Sequence, residues 1–403
     1  MAKIFFEFSG GLGPLIRCLP IANYLRELGH DIIYFGHPEC RYYMNELKYQ
    51  HIELDVVKLV DSDIEVKSNW INADEFWASS GFSNKVFLKR EIDVWINKIK
   101  EYNPDVIISD LGVFSSLVAR ILGIPIATIT QSCYHTRAAY KPQRYWENQS
   151  KLCTKSLDAI NYVLDSYGAP LLNCFEEIFV GNITIIPSFP EFDKLIDKEL
   201  IDDRTYYVGP ILWEGLTKKD KMEYKSVNNP HVFCYGGSIV DYKGNGGQKF
   251  FELIIDVFKD NDIEAIISTG SIVTSTKLAK RYNYERIKIV DWIPIKEAYT
   301  NSNLVICHGG HGSCMGLFKY MVPGIILSTH TEREYNARLL EELGAGISIP
   351  YENFSKKEME HAITTILGNE SYMNKIKYYN ELISTRYQNG EVLAANYILS
   401  LCK

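Results

Sequence analysis

The chain has 403 residues, 46% of them apolar, and a formal net charge of -7. That is enough apolar material for two ordinary cores, and no basic tract marks a nucleic-acid or anionic-membrane surface. The nine cysteines form no CxxC pair and no ligand-like spacing with histidine, which argues against a zinc site or a redox dithiol. With no leader-like start and no apolar run of the ~20 residues that span a bilayer, the sequence predicts a cytoplasmic protein without a membrane-spanning segment.

Ile4 to Phe8 reads as a buried strand, and Ser9-Gly10-Gly11-Leu12-Gly13-Pro14 as a turn. Leu15, Leu19, Ala22, Leu25 and Leu28 then share one helical face, Gly29-His30 ends the helix, and Asp31 to Phe35 is the next strand. This is a βαβ unit with its glycine turn at a strand's carboxyl end, where α/β folds bind ligands. Asp61 to Tyr102 is polar and aromatic, with Trp70, Phe76, Trp77, Phe82, Phe87 and Trp95, and packing onto the first domain is one reading of it. Pro104 to Asp110 is a strand ending in an acid, and Ile126 to Ile129 is another strand. Residues 134 to 180 look mostly helical, Ile183 to Pro187 is a short strand, and Tyr206 to Pro210 closes the first half. Thr217 to Asn229 is polar and lysine-rich, as a linker would be.

The second half restarts the pattern. Val232 to Tyr235 is a strand, Gly236-Gly237-Ser238 a turn, Asp241 to Gly247 a polar loop and Gln248 to Phe258 a helix. Strands at Ala265 to Ser268 and Ile287 to Val290 come next, the latter running into Trp292. The stretch from Asn303 to Gly324 is the centre of the chain. Leu304 to Cys307 is a buried strand, His308-Gly309-Gly310-His311-Gly312-Ser313 a glycine turn, and Cys314, Leu317, Phe318 and Met321 fall at helical spacing. Glycines let the backbone approach a ligand, and unpaired helix N-terminal N–H groups suit a phosphate. His308 and Ser313 would add donors, so the stretch points to a bound diphosphate. The loops at Gly236, Thr269, Trp292 and His308 all sit at strand carboxyl ends, which places one ligand site on one sheet edge. Ser355 to Leu367 and Tyr372 to Leu401 read as helices.

Four segments taken together resemble the nucleotide-sugar glycosyltransferases of the UDP-glycosyltransferase and macrolide-glycosyltransferase kind. They are Trp292-Ile293-Pro294-Ile295, His308-Gly309-Gly310-His311-Gly312-Ser313, Met321-Val322-Pro323 and Glu332-Arg333-Glu334-Tyr335-Asn336-Ala337. The resemblance implies an α/β chain of the GT-B fold, two Rossmann-like domains with parallel sheets facing across a cleft. It implies an acceptor-side domain over 1–210, a linker over 211–230, a donor domain over 231–385, and a C-terminal helix over 386–403 returning to the first domain. Trp292 would stack on the base. His308, Gly310, Gly312 and Ser313 would hold the diphosphate, Glu332 would hydrogen-bond sugar hydroxyls, Arg333 would pair with Glu332, phosphate or an acidic sugar, the Gly236 to Ser238 turn would line the same site, and the Asp61 to Tyr102 region would help cover the acceptor.

The chain departs from the family at three positions. The catalytic His corresponds to Pro14, the ribose-binding Glu to Gly316, and the sugar-binding Gln to Arg333. Asp110 matches the acid that supports the missing His, and it either serves as the base, directly or through a water, or caps the next helix. Glu7 and His135 are other candidates. The expected activity is inverting transfer of a hexose or deoxyhexose from a UDP- or dTDP-sugar, as co-substrate and with no other cofactor or metal, to a small, largely apolar acceptor. A non-catalytic partner protein for another enzyme and a nucleotide-sugar epimerase are the alternatives.

Overall fold

The computed structural model describes residues 1–8, 12–36, 40–53, 70, 72–138, 153–196, 204–215, 230–236, 246–261, 263–350 and 353–402. They form two compact units, Met1–Trp213 with Asn389–Lys403, and Glu214–Gln388.

The strands of the first unit are β1 (Lys3–Phe8), β2 (Asp31–Gly36), β3 (Gln50–Glu53), β4 (Val106–Asp110), β5 (Ile126–Ile129), β6 (Ile183–Ile186) and β7 (Thr205–Tyr207). All pair in parallel, in the order β3-β2-β1-β4-β5-β6-β7. The helices are α1 (Leu12–Glu27), α2 (Arg41–Glu46), α3 (Ala73–Trp77), α4 (Lys85–Tyr102), α5 (Val113–Leu122) and α6 (Lys155–Ser166). Strand residues alternate between faces. Phe5 and Ile107 join the core under α4, α5 and α6, whereas Phe6 and Ile108 join the core under α1.

Trp70, Trp77, Phe82 and Trp95 all lie in the first of these cores. Those four aromatic side chains are therefore packing. Pro14 lies in the first turn of α1, where its missing N–H has no intrahelical partner to lose. Leu28 falls beyond the end of α1 and is 50% exposed, so it is not part of the apolar face that the spacing predicts.

The second unit repeats the plan with β8 (His231–Tyr235), β9 (Glu264–Ser268), β10 (Ile287–Val290), β11 (Leu304–Cys307), β12 (Gly324–Ser328) and β13 (Gly346–Pro350). These are also parallel, in the order β10-β9-β8-β11-β12-β13. Helices α7 (Gly246–Lys259), α8 (Ile272–Arg281), α9 (Ile295–Thr300), α10 (His311–Lys319), α11 (Thr331–Glu342), α12 (Lys356–Leu367) and α13 (Ser371–Arg386) complete the unit.

Each sheet thus reverses its strand order once, between β1 and β4 and between β8 and β11. Crevices at the carboxyl ends of such switch points are where doubly wound sheets take ligands.

Glu332 to Ala337 forms most of the first two turns of α11 and is buried despite its polar side chains. Two readings of the sequence change. Met321 lies past α10 with φ +56° and is 47% exposed, unlike the buried Cys314, Leu317 and Phe318. The expected terminal helix is two helices, α13 and α14 (Gly390–Leu399), broken at residues 387–389. The linker expected over Thr217 to Asn229 lies outside the described residues, as do Ser238 and most of the Asp241 to Gly247 loop.

Helix α14 belongs to the first unit, with Ala394, Ala395 and Ile398 in the core under α1 and Tyr397 stacked on Tyr206 at 3.9 Å. It opens on Gly390, where a Cβ would come within 2.7 Å of the Val208 carbonyl oxygen. Gly390→Ala is therefore expected to push the first turn of α14 off the sheet. Amide hydrogen exchange over 390–399 should accelerate while β1 and β4 stay protected. Unchanged exchange in α14 would contradict this packing account.

Candidate functional site

In the second unit the switch point is built by β11, a glycine turn and α10. The apolar strand ends at Cys307, and the chain then turns through His308, Gly309 and Gly310 into the helix. Gly309 has φ +86°, and a Cβ on it would lie 2.5 Å from Ile326 and 3.0 Å from the Arg333 carbonyl oxygen. Only glycine takes this conformation in that space without strain. Gly310 is the N-cap of α10 and supplies no side-chain bond. The N–H groups of His311, Gly312 and Ser313 therefore point out of the first turn with no helical acceptor, at the positive end of the helix dipole. Such an end is an anion site when a second feature is aimed at it.

His308 is that second feature. Its ring meets Tyr235 edge-on at 5.5 Å, and its Nδ1 is buried without a hydrogen-bond partner among the described residues. Burial and the nearby Arg333 charge hold its pKa well below 6.5. The imidazole is thus neutral near pH 7, a buried polar group aimed at the turn and able to donate or accept a single hydrogen bond.

The polar residues of α11 brace this turn. Asn336 donates from Nδ2 to the Gly309 carbonyl at 3.0 Å and to Glu332 Oε1 at 2.9 Å, while its own Oδ1 is buried without a partner among the described residues. Arg333 is 5% exposed and donates from Nη1 to Thr329 Oγ1 at 2.6 Å. The structure therefore brings His308, Gly310, Gly312, Ser313, Glu332 and Arg333 together on one sheet edge. Trp292 follows β10 on that edge, with its ring against Gly215. Gly236 follows β8, and a Cβ on it would lie 2.7 Å from Phe251, so packing beneath the edge explains that glycine. Sequence reasoning misses the bracing role of Asn336, which its place in the Glu332 to Ala337 motif alone could have flagged.

Gly316 has a steric cause. Its Cβ would lie 2.9 Å from Tyr299 Cε2 and 3.0 Å from Ile295 Cδ1. Tyr299 is 1% exposed and reaches the Ser313 carbonyl through its hydroxyl at 3.4 Å. The tyrosine takes the space that a carboxylate-bearing side chain at 316 would need.

At the switch point of the first unit, Asp110 does not cap α5. The α5 N-cap is Gly112. Asp110 instead takes a bidentate fork from Arg17, Nε to Oδ2 at 2.9 Å and Nη2 to Oδ1 at 2.7 Å, with both residues buried. The guanidinium fork occupies both carboxylate oxygens, which counts against the expected base role. The carboxylate that does cap α5 is Glu7, from β1, whose Oε2 accepts the Ser115 N–H at 2.9 Å. A Cβ at Gly112 would lie 2.1 Å from that oxygen, so the glycine leaves room for the acid. His135 is structural. Its Nδ1 accepts the Arg137 N–H at 3.0 Å and its Nε2 meets Thr205 Oγ1 at 3.2 Å.

Among the described residues, no cluster of three His, Cys, Asp or Glu has metal-binding geometry, and no helix is long and apolar enough to cross a membrane.

The chain is similar to known glycosyltransferases. Residues 253–393 match the family model of the erythromycin biosynthesis protein CIII-like C-terminal domain. The NDP-glycosyltransferase YjiC of Bacillus subtilis (strain 168) is 24% identical over 279 residues, 69% of this chain and 68% of that one. The calicheamicin glycosyltransferase CalG4 superposes with TM-score 0.76 at 17% identity, covering 99% of this chain and 98% of its own. The spinosyn rhamnosyltransferase SpnG, solved with thymidine diphosphate, superposes with TM-score 0.74 at 14% identity over 98% of this chain and 100% of its own. SpnG with spinosyn aglycone gives 0.72 at the same identity and coverage. The fold is GT-B, and the chain is similar in sequence and in fold to glycosyltransferases.

Two of these geometries can be tested by substitution. Burial raises the Glu7 pKa from 4.5 to about 7, against the opposing hydrogen bonds from Ser115. Its protonated form is favoured on folding, so this stability is fully present below about pH 4.5 and is lost as pH rises through 7. Glu7→Gln should match the wild type near pH 4 and gain up to about 3 kcal/mol above pH 7. Melting curves across that range check it, and a difference independent of pH contradicts it. Gly316→Glu should lower the melting temperature without tightening nucleotide binding, and adding Tyr299→Ala should recover stability. A stable Gly316→Glu single variant would show that Tyr299 does not close the position.

Proposed function

We propose that the protein transfers a hexose or deoxyhexose from a UDP- or dTDP-sugar to a small, largely apolar acceptor of natural-product or lipid-like character, with inversion at the anomeric carbon. The observation that carries this reading is the neutral, buried His308 beside the unpaired first-turn N–H groups of α10. Sugar transfer requires a diphosphate leaving group whose growing charge is stabilised, and fixed donors in a dry site supply that most effectively. Trp292 offers an aromatic face for the base. Glu332, oriented by Asn336, accepts sugar hydroxyls, and Arg333 adds a fixed cation at the same edge. The nucleotide sugar is consumed as a substrate, and the reaction as written needs no resident cofactor. The thymidine diphosphate and aglycone held by SpnG support the donor and acceptor classes.

A specific observation favours a second reading, a non-catalytic partner of another enzyme. Pro14 stands where the family has its base, and Asp110 is clamped by Arg17. One experiment separates the two. Calorimetry with UDP, dTDP and their glucose and rhamnose conjugates should show binding. His308→Ala should weaken it by roughly a hundredfold, as expected for about 3 kcal/mol of lost anion contact. Incubation with phenolic and alcoholic aglycones should release nucleoside diphosphate and give a product of inverted anomeric configuration by proton NMR. Binding without turnover favours the partner reading. Full affinity in His308→Ala overturns the site.

A further inference from the structure

We propose that Gly215 is a positioning residue for the nucleotide base, because its lack of a side chain sets where the Trp292 ring lies. This rests on the transferase reading above, in which Trp292 offers the aromatic face. Both residues belong to the second unit, whose first residues are Glu214 and Gly215.

The contact is close. Gly215 has φ +90°, and a Cβ on it would lie 3.1 Å from Trp292 Cη2 and 3.2 Å from Cζ2. Carbon atoms in comfortable contact sit about 3.5–4.0 Å apart, so even a methyl group at 215 would push on the ring. Cη2 and Cζ2 form the outer rim of the indole, the end furthest from the backbone. The backbone end is fixed as well. The carbonyls of Val290 and Asp291 accept the N–H groups of Thr269 and Gly270 at 3.0 and 2.9 Å. Trp292 is half-buried, braced at both ends of its side chain.

Glu214 holds the glycine in place. Its Oε2 accepts from Lys296 Nζ at 3.0 Å and its Oε1 from the Tyr320 hydroxyl at 3.4 Å. Lys296 lies in α9, directly after the Trp292 segment, and Tyr320 follows the end of α10. Burial and the Glu214 charge raise the Tyr320 pKa, so the hydroxyl keeps its proton and donates. Tyr320 meets Tyr299 edge-on at 6.2 Å, and Tyr299 reaches the Ser313 carbonyl. Glu214-Gly215 therefore touches both parts of the nucleotide site, Trp292 directly and the start of α10 through two tyrosines. The Glu214–Lys296 pair is exposed on both sides, so it contributes orientation more than energy.

A ring set in advance matters for stacking. A side chain that must be ordered on binding offsets part of the contact it makes. An indole already held at its rim spares that cost, and the gain goes only to ligands that carry a flat base. Gly215 thus favours a nucleoside diphosphate over the bare diphosphate.

The test is calorimetry on the full chain with UDP, dTDP and inorganic pyrophosphate. It compares wild type, Gly215→Ala, Trp292→Phe, the double variant and Glu214→Ala. Gly215→Ala should weaken UDP and dTDP roughly tenfold and leave pyrophosphate within about twofold. Trp292→Phe removes Cη2 and Cζ2, so adding Gly215→Ala to it should cost nothing further. Backbone strain at φ +90° does not depend on the indole and would persist in the double variant. The Trp292 indole N–H resonance, assigned by its absence from Trp292→Phe, should be displaced in Gly215→Ala before any ligand is added. Glu214→Ala is an exposed change and should weaken UDP and dTDP a few-fold without touching pyrophosphate, which carries the test if Gly215→Ala does not fold. Three results overturn the proposal: Gly215→Ala and Glu214→Ala that bind UDP as wild type does, variants that lose pyrophosphate equally, or a double variant that loses as much again as Gly215→Ala alone. A wild type that binds pyrophosphate as tightly as UDP and dTDP also overturns it. A wild type that binds none of the three overturns the transferase reading, and the base-positioning role with it.

Discussion

Burying an ionisable group in a dry protein edge is costly unless its charge is neutralised or matched. Both sheets meet this constraint at the same topological position. His308 is held neutral by burial and by Arg333. Asp110 is matched by Arg17. Glu7 accepts the Ser115 N–H and has no cationic partner among the described residues, and burial raises its pKa to about 7. The local folds that permit this are tight ones. Gly309 lets α11 press on the turn, and Gly112 leaves the volume into which the Glu7 carboxylate reaches.

Much of the architecture is legible in the sequence because it is written in local apolar pattern. A four-residue buried run bounded by glycine and leading into residues at helical spacing marks β11, the turn and α10. The same cues mark β1 and β4. Helix α11 is hard to read as a helix, because Thr331, Glu332, Arg333, Glu334 and Asn336 are buried alongside Tyr335, Ala337, Leu339 and Leu340. Hydrophobic periodicity is weakened when much of the buried surface is polar. Those residues stand out only as a motif, and a polar motif reads as a loop.

Partnerships across sequence distance are the other gap. Arg17 and Asp110 are 93 positions apart, and Glu7 and Ser115 are 108 apart. Nothing in local spacing ties either pair, so Asp110 reads as a cap or a base and Glu7 as one candidate among several. Gly316 reads as a lost contact, and its cause is visible only where Tyr299 packs against it. In each case the sequence locates the unusual position, and the packing gives the reason.

The central claim is that the start of α10 and His308 form the diphosphate site. It is tested most directly by amide NMR on the full chain during titration with UDP, dTDP and inorganic pyrophosphate. The account predicts that the largest shifts on nucleotide binding fall on the Gly312 and Ser313 amides, with the His308 ring resonances moving alongside. Nucleotide binding that leaves those amides unmoved, with the shifts elsewhere in the chain, would contradict it.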